Sequence, residues 1–293
     1  LDAIARERVT IAIPVPTMIA ALVSAQREKP RDMSSLRLLG HAGSPISSEL
    51  IAEAHETFRT SELAQFYGAT ETSSVVTALR NEQRALGTTL LGSCGRAVPG
   101  VAVKIAHEDG VECRAGEIAE ICVRGPNVTV GYWQNPEASA AALSDGWYRT
   151  GDLGQLREDG HLFVVDRLKD MIVSGGENVY SIEVEDALAR HPAVLEAAVF
   201  GVPNAQWGEA VQALVVLRPG ARHDANLVSE LKQHCRTLIA GYKVPKQIDL
   251  QREPLPKSGP GKILKRVVRD SYRAATQVEA RGSAREPNKE QEP

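Results

Sequence analysis

Thr150-Gly151-Asp152, followed after a short apolar segment by Asp166-Arg167-Leu168-Lys169-Asp170, is the stretch whose reading decides the fold. Leu153–Arg157 and His161–Val165 flank Glu158-Asp159-Gly160. An Asp-Gly turn between two apolar runs is a hairpin signal. Such a hairpin brings Asp152 and Arg167 to the same end of two paired strands. A carboxylate and a guanidinium placed there suit a sugar diol and its phosphate. A surface ion pair of small energetic value is the competing reading. Beyond Asp170 the pattern changes, as though a new domain begins.

Upstream of the hairpin the chain alternates strand and helix. Val9–Ile13 and Leu36–Leu39 read as short buried strands, with the apolar helix-prone segment Met18–Ala25 between them. A helix over Ile46–Phe58 carries Leu50, Ile51 and Ala54 at core spacing, and Glu62–Tyr67 reads as a third strand. Strand, crossover helix and strand imply a parallel sheet, whose ligands sit outside the carboxyl ends of its strands. Two loops fall there: Gly40-His41-Ala42-Gly43-Ser44-Pro45 and Gly68-Ala69-Thr70-Glu71-Thr72. Each also has a plainer reading, the first as a strand-to-helix turn and the second as a helix cap with a first-turn acid. From Gly92 to Asp166, short strands at Ala102–Ala106, Glu117–Arg124 and His161–Val165 with frequent glycines suggest a small β-rich, barrel-like part.

Downstream, Met171–Val173 and the turn Ser174-Gly175-Gly176-Glu177-Asn178 precede a helix over Ile182–Arg190 and strands over Val194–Val202 and Val211–Leu217. Leu227, Leu231, Cys235 and Leu238 mark an amphipathic helix. Gln247–Leu250 reads as a last strand, and a helix with a basic side follows from Ile263 to about Ala275. The segment 277–293 is charged and poor in apolar residues, so disorder is expected. The expectation is thus an α/β chain. Its parts are a partial parallel α/β sheet over 1–91, a β-rich part over 92–167, an α+β domain over 168–276 and a tail.

Composition bounds the function. The 293 residues are 43% hydrophobic, enough for a sizeable core. A net charge of −3 argues against bulk nucleic-acid binding. Cys94, Cys113, Cys122 and Cys235 are scattered, with no paired spacing. They fit a reducing cytoplasm better than secretion or a zinc framework. No apolar run reaches the ~18 residues of a transmembrane helix. Leu1 opens the chain without Met or a signal-peptide pattern, so an upstream segment is expected.

Taken together the motifs resemble the adenylate-forming enzymes: acyl-CoA synthetases, luciferases and peptide-synthetase adenylation domains. The resemblance rests on Ala42-Gly43-Ser44-Pro45, Gln65-Phe66-Tyr67-Gly68-Ala69-Thr70-Glu71, Tyr148-Arg149-Thr150-Gly151-Asp152, Asp166-Arg167-Leu168-Lys169-Asp170, Ser174-Gly175-Gly176-Glu177-Asn178-Val179-Tyr180 and Pro256-Lys257-Ser258-Gly259-Pro260-Gly261-Lys262. The Asp-Arg-x-Lys-Asp and Ser-Gly-Gly-Glu-Asn forms look like acyl-CoA synthetases. The family's phosphate loop, ending in Pro-Lys, has no match here. Ser181 stands where many relatives have Pro, a change expected to alter only local stiffness. His41 and Ser44 depart from the commoner small residues, with a bearing on the acyl pocket.

The resemblance implies activation of a carboxylic acid, a fatty or related one, by ATP to an acyl-adenylate, then transfer to coenzyme A. It implies that Glu71 holds Mg²⁺ and that the Thr70 hydroxyl meets the α-phosphate. Tyr67 would face adenine opposite Gly43-Ser44-Pro45, with Gln65 and Gly68 beside it. Asp152 would accept from both ribose hydroxyls and Arg167 would reach ribose or phosphate oxygens. Lys262 would stabilise the first transition state. The C-terminal domain would be a mobile lid hinged at Lys169. Gly175 and Gly176 would line the thiol tunnel, and Trp207 and Lys246 would meet the nucleotide end of CoA; for Trp207 a partly buried structural aromatic is the plainer reading. The alternatives are a carrier-protein-loading or luciferase-like relative, and an inactive nucleotide-binding protein. The particular acid and the oligomeric state are not legible.

Overall fold

The computed structural model describes residues 1–43, 46–258 and 263–273. Ser44, Pro45, Lys262 and the tail over 277–293 lie outside them. The chain divides into two compact units, Leu1–Leu168 and Lys169–Pro293.

The first unit opens with a short helix α1 (Asp2–Arg6), strand β1 (Ile11–Ala12), helix α2 (Pro16–Glu28), strand β2 (Leu38–His41), helix α3 (Ser48–Thr57) and strand β3 (Glu62–Tyr67). Pro16 stands at the start of α2, where its missing N–H costs nothing. The Ser47 hydroxyl caps α3 by accepting from Leu50 N at 3.2 Å. β1, β2 and β3 pair in parallel, with His41 opposite Gln65. Ile19 and Val23 of α2 and Ile51, Ala54 and Phe58 of the α3 segment pack on Leu36, Leu39 and Leu63.

The sheet is parallel in part, as expected over β1 to β3. Strands β4 (Thr77–Arg80) and β5 (Arg96–Ala97) continue it antiparallel, in the order β1-β2-β3-β4-β5, past residue 91. After the loop that carries Thr70 and Glu71, the chain has no crossover helix, so β4 returns beside β3 in the opposite sense.

The second sheet of this unit holds β6 (Ala102–Ala106), β7 (Ala119–Arg124), β8 (Leu143–Ser144), β9 (Trp147–Leu156) and β10 (Leu162–Arg167), with helix α4 (Pro136–Ala142) before β8. Its order is β10-β9-β7-β6, with β8 on β9, and every pair is antiparallel. β6 and β10 remain edges, so the sheet is a curled half-barrel and not a closed barrel. In the β9–β10 hairpin the register places Arg167 opposite Asp152, with a bulge between Val164 and Asp166.

The segment Ser93–Gly95 ties the two sheets together. Cys94 N donates to Leu162 O at 2.8 Å and Leu162 N to Gly95 O at 2.8 Å, while the Thr77 hydroxyl donates to Cys94 O at 2.6 Å. Gly95 has φ +79°, and a Cβ there would lie 2.0 Å from Ala78 O. Gly95→Ala is therefore expected to destabilise the protein by about 3–5 kcal/mol, from a left-handed backbone plus a clash with β4 that only strand displacement relieves. Chemical denaturation checks this, and a midpoint equal to wild type would contradict it.

The second unit contains β11 (Ile172–Ser174), β12 (Glu177–Val179), α5 (Ser181–Ala189), β13 (Val194–Asn204), β14 (Gly208–Leu217), α6 (Ala225–Leu238), β15 (Gln247–Gln251) and a helix over 265–273. The sheet order is β12-β11-β14-β13, with β15 parallel to β14. Val184 and Leu188 of α5 and Leu227, Leu231 and Cys235 of α6 bury against Val199, Val211, Ala213 and Val215. Asp224 caps α6 by accepting from Leu227 N at 2.8 Å. Leu238, expected in the apolar stripe, is exposed at the last residue of α6, where the helix leaves the sheet. Ser181 does more than alter stiffness: it is buried at the first position of α5, and its hydroxyl accepts from Lys265 Nζ at 2.6 Å, which a proline could not do.

Candidate active site

In the first unit three of the sequence-selected residues meet. The Tyr67 hydroxyl, at the end of β3, donates to Asp152 Oδ2 at 2.9 Å. Asp152 Oδ1 lies 3.6 Å from Arg167 Nε. Burial, and then the Asp152 charge beside it, push the Tyr67 phenol well above its usual range, so it keeps its proton and remains the donor. Asp152 is held from the backbone side as well. Its N–H donates to the Thr150 hydroxyl at 3.1 Å, and that hydroxyl donates to Ile121 O at 2.8 Å. Gly151, at φ +71°, turns the strand and donates its N–H to Glu120 Oε1 at 2.9 Å. Arg149 pairs with the other oxygen of buried Glu120 at 2.6 Å. A partly exposed carboxylate is thus set beside a guanidinium and an aromatic ring that is tethered to it through its hydroxyl.

Thr70 and Glu71 lie on the single helical turn Thr70–Thr72 that follows β3. The Thr72 hydroxyl closes this turn, accepting from Ala69 N at 2.9 Å and donating to Ala69 O at 3.0 Å. Gly68 is required for packing: a Cβ would lie 2.4 Å from Ser74 O. Glu71 Oε1 accepts from the Tyr132 hydroxyl at 2.9 Å, and Glu71 O accepts from Thr129 N at 2.7 Å. Its second carboxylate oxygen takes no hydrogen bond among the described residues, and neither does the exposed Thr70 hydroxyl. Burial, and then the bond to Glu71, raise the Tyr132 phenol. The donor set fits a hard cation: one anchored carboxylate with an oxygen to spare, beside a hydroxyl.

Gln65 points elsewhere. Oriented to satisfy its neighbours, its amide donates to Ser93 O at 2.9 Å and Glu82 Oε1 at 3.1 Å. Glu82 Oε2 meets His41 Nε2 at 2.6 Å, and both residues are buried. Gln65 and His41 therefore share one polar cluster under the sheet end. Cys94 lies beside it, its thiol pushed up to about 11 chiefly by burial. Gly43 is exposed at φ +86°.

In the second unit Gly175, Trp207 and Lys246 meet. Gly175 N donates to Trp207 O at 2.8 Å, and a Cβ on Gly175 (φ +63°) would touch the indole at 2.9 Å. The Trp207 ring is 40% exposed, with Lys246 Nζ 5.4 Å from its centroid. The Asn204 side chain holds the turn, accepting from Trp207 N at 3.0 Å. Gly176, at φ +85°, faces open space. Lys169 is exposed in the single turn Leu168–Asp170.

Tyr132 and Glu120 were not singled out from the sequence, and Tyr148 and Asp166 stood in the quoted motifs without a role of their own. Tyr132 comes from a loop 61 residues beyond Glu71. Its one signal is an aromatic after Gly131 in a chain with only 4% aromatics. Buried Asp166 accepts from Arg167 N at 2.7 Å and so helps aim Arg167.

The chain is similar to known proteins over most of its length. The feruloyl-CoA synthase of Amycolatopsis sp is 44% identical over 272 residues, 93% of this chain and 54% of that protein. The long-chain-fatty-acid–CoA ligase of Yersinia pestis is 43% identical over 257 residues, 87% of this chain and 44% of that protein. The solved o-succinylbenzoate coenzyme A synthetase (MenE) of Bacillus subtilis, in complex with ATP and magnesium ion, superposes with a TM-score of 0.78 at 35% identity, covering 90% of this chain and 52% of that one. The chain spans about half the length of the curated relatives it matches. The family models for "AMP-binding enzyme" and "AMP-binding enzyme C-terminal domain" match residues 1–133 and 183–262, most of the sequence between them. The chain belongs to the AMP-binding enzyme family.

Proposed function

We propose that the protein activates a carboxylic acid with ATP and transfers the acyl group to coenzyme A. The observation that carries this reading is the Tyr67–Asp152–Arg167 constellation, one short loop from Thr70 and Glu71. Asp152 accepts from the ribose hydroxyls, Arg167 reaches ribose or phosphate oxygens, and Tyr67 lies against adenine. Gly43, with the Ser44 and Pro45 that follow it in sequence, is assigned to the other side of the base by the resemblance alone. In the first step a substrate carboxylate oxygen bonds to the α-phosphorus of ATP, the bond to the bridging oxygen breaks, and pyrophosphate leaves. Thr70 steadies the α-phosphate. A Mg²⁺ ion held by Glu71 would neutralise phosphate charge. Lys262 supplies the point charge that the transition state needs.

In the second step the CoA sulfur attacks the acyl carbonyl carbon, the carbon–oxygen bond to AMP breaks, and the thioester forms. Gly175 and Gly176 let backbone pass close to a pantetheine arm. Trp207 and Lys246 offer a ring face and a cation to the nucleotide end. The relatives act on feruloyl and long-chain fatty acyl groups, as their names state, which supports an aromatic or fatty acid substrate. Four unpaired cysteines support a reducing, cytoplasmic setting.

The test is acid-dependent exchange of labelled pyrophosphate into ATP across a panel of aromatic and fatty acids, followed by CoA. Exchange with at least one acid and thioester on adding CoA are expected. Exchange without any thioester would remove CoA as acceptor, and no exchange with the whole panel would remove the acid-activating role.

Lys169→Pro tests the hinge. Proline fixes φ near about −65° and restrains the residue before it, so two residues lose the freedom that a hinge needs. Adenylate is expected to form at near wild-type rate and to accumulate on adding CoA, with an unchanged melting temperature. A single-turnover reaction with a CoA chase reads both steps. Both steps unchanged, or both lost with a lowered melting temperature, would rule the hinge out.

A further inference from the structure

The connection between β6 and β7 holds a group of side chains that the proposed reaction does not use. His107, Cys113 and Glu117 each present one donor atom, and the three atoms lie within 4.8 Å of one another. The backbone that carries them is tied at each position. His107 N donates to Val111 O at 3.0 Å, Gly110 N to His107 O at 3.0 Å, and Cys113 N to Ile105 O at 2.8 Å. Glu117 closes a second turn through its N–H to Arg114 O at 3.1 Å, and its Oε2 accepts from Arg114 N at 2.9 Å. The other Glu117 oxygen takes no hydrogen bond among the described residues. Cys113 is half-buried, while His107 and Glu117 are exposed. Glu108, Asp109, Glu112 and Glu117 face one cation, Arg114, within residues 107–117. The neighbouring Lys104 ammonium is turned to Gly110 O and the Arg149 guanidinium to Glu108 O, both backbone acceptors.

We infer that His107, Cys113 and Glu117 form a binding site for a borderline-soft divalent metal ion of the Zn²⁺ or Co²⁺ class. Imidazole nitrogen, thiolate sulfur and one carboxylate oxygen are the donors such ions select, whereas Mg²⁺ and Ca²⁺ take oxygen alone. Metal–ligand bonds of about 2.0–2.3 Å put tetrahedral donors roughly 3.5 Å apart. Rotation of the exposed His107 and Glu117 side chains closes the remaining ångström or so while the backbone stays fixed. Three protein ligands leave a fourth position for water. Binding exchanges the Cys113 thiol proton for the metal and clamps two adjacent turns of one connection. The spacing His-x5-Cys-x3-Glu is no zinc-finger pattern, so counting cysteines does not find it.

The experiment is a titration of the metal-free full chain with Co²⁺, followed by its thiolate-to-cobalt charge-transfer absorption and its displacement by Zn²⁺. One equivalent is expected to bind with that absorption, because Cys94, Cys122 and Cys235 are buried and Cys113 is the accessible thiol. Cys113→Ser should abolish the band. His107→Ala and Glu117→Gln should each weaken binding by at least about tenfold, the lower end of the cost for losing even an outer-shell partner. Circular dichroism establishes that each variant is folded. If Cys113→Ser does not fold, the two exposed substitutions decide the question. Absence of the band at millimolar Co²⁺, an undiminished band in Cys113→Ser, or unchanged affinity in both exposed variants would overturn the site.

Discussion

Lys262→Ala is expected to slow acyl-adenylate formation by about 10²–10³-fold, the usual scale for one preorganised electrostatic group. Two anions, the substrate carboxylate and the α-phosphate, must approach each other in the first step, and a fixed positive charge lowers that barrier. In the second step the nucleophile attacks a neutral carbonyl and AMP leaves, so the same charge has no comparable task. Thioester formation from supplied acyl-adenylate should therefore stay near wild type. Rapid-quench measurement of each half-reaction separates the two rates. An equal fall in both would make Lys262 structural.

Asp152→Ala is expected to weaken ATP binding by about 2–4 kcal/mol, roughly 30- to 1,000-fold in Kd, with the protein still folded. The carboxylate does two things at once. It accepts from the Tyr67 hydroxyl at 2.9 Å and sits 3.6 Å from the Arg167 guanidinium. On the proposed reading its removal leaves the ribose hydroxyls without an acceptor, leaves the Tyr67 hydroxyl without its partner, and deprives Arg167 of a counter-charge. Asp152→Asn is the sharper variant, since it keeps the shape and loses the charge. It should fall between alanine and wild type. Calorimetry with ATP measures both, and wild-type affinity in Asp152→Ala would defeat the assignment.

The β9–β10 hairpin was legible because turn chemistry acts locally: Glu158-Asp159-Gly160 fixes the register as far as Val164 opposite Gly154, and the bulge before Asp166, which local turn chemistry does not reveal, then sets Arg167 opposite Asp152. Helices α3 and α6 were legible from the spacing of apolar residues, and α2 from an apolar, helix-prone run. Strands β4 and β5 were not. They span four and two residues, too few for a periodic signal, and the tertiary pairing with β3 and β4 makes them strands. The same limit applies to the site. Tyr67, Thr70, Glu71, Asp152 and Arg167 stand in local motifs. Their supports are long-range contacts: Tyr132 to Glu71, Glu120 to Gly151, and Glu82 to both His41 and Gln65. Sequence distance hides such pairs, and burial that turns Glu82 and Asp166 inward depends on the finished sheet.

On the proposed reading Asp152 holds the ribose of an adenine nucleotide. A double-mutant-style cycle tests it most directly, with calorimetric Kd values for ATP and 2′,3′-dideoxy-ATP on wild type and on Asp152→Ala. Loss of the ribose hydroxyls should cost wild type at least about tenfold and cost Asp152→Ala little more, because both changes delete the same hydrogen bonds. Equal losses on the two proteins, multiplying independently, would show that Asp152 and the ribose do not meet and would contradict the account.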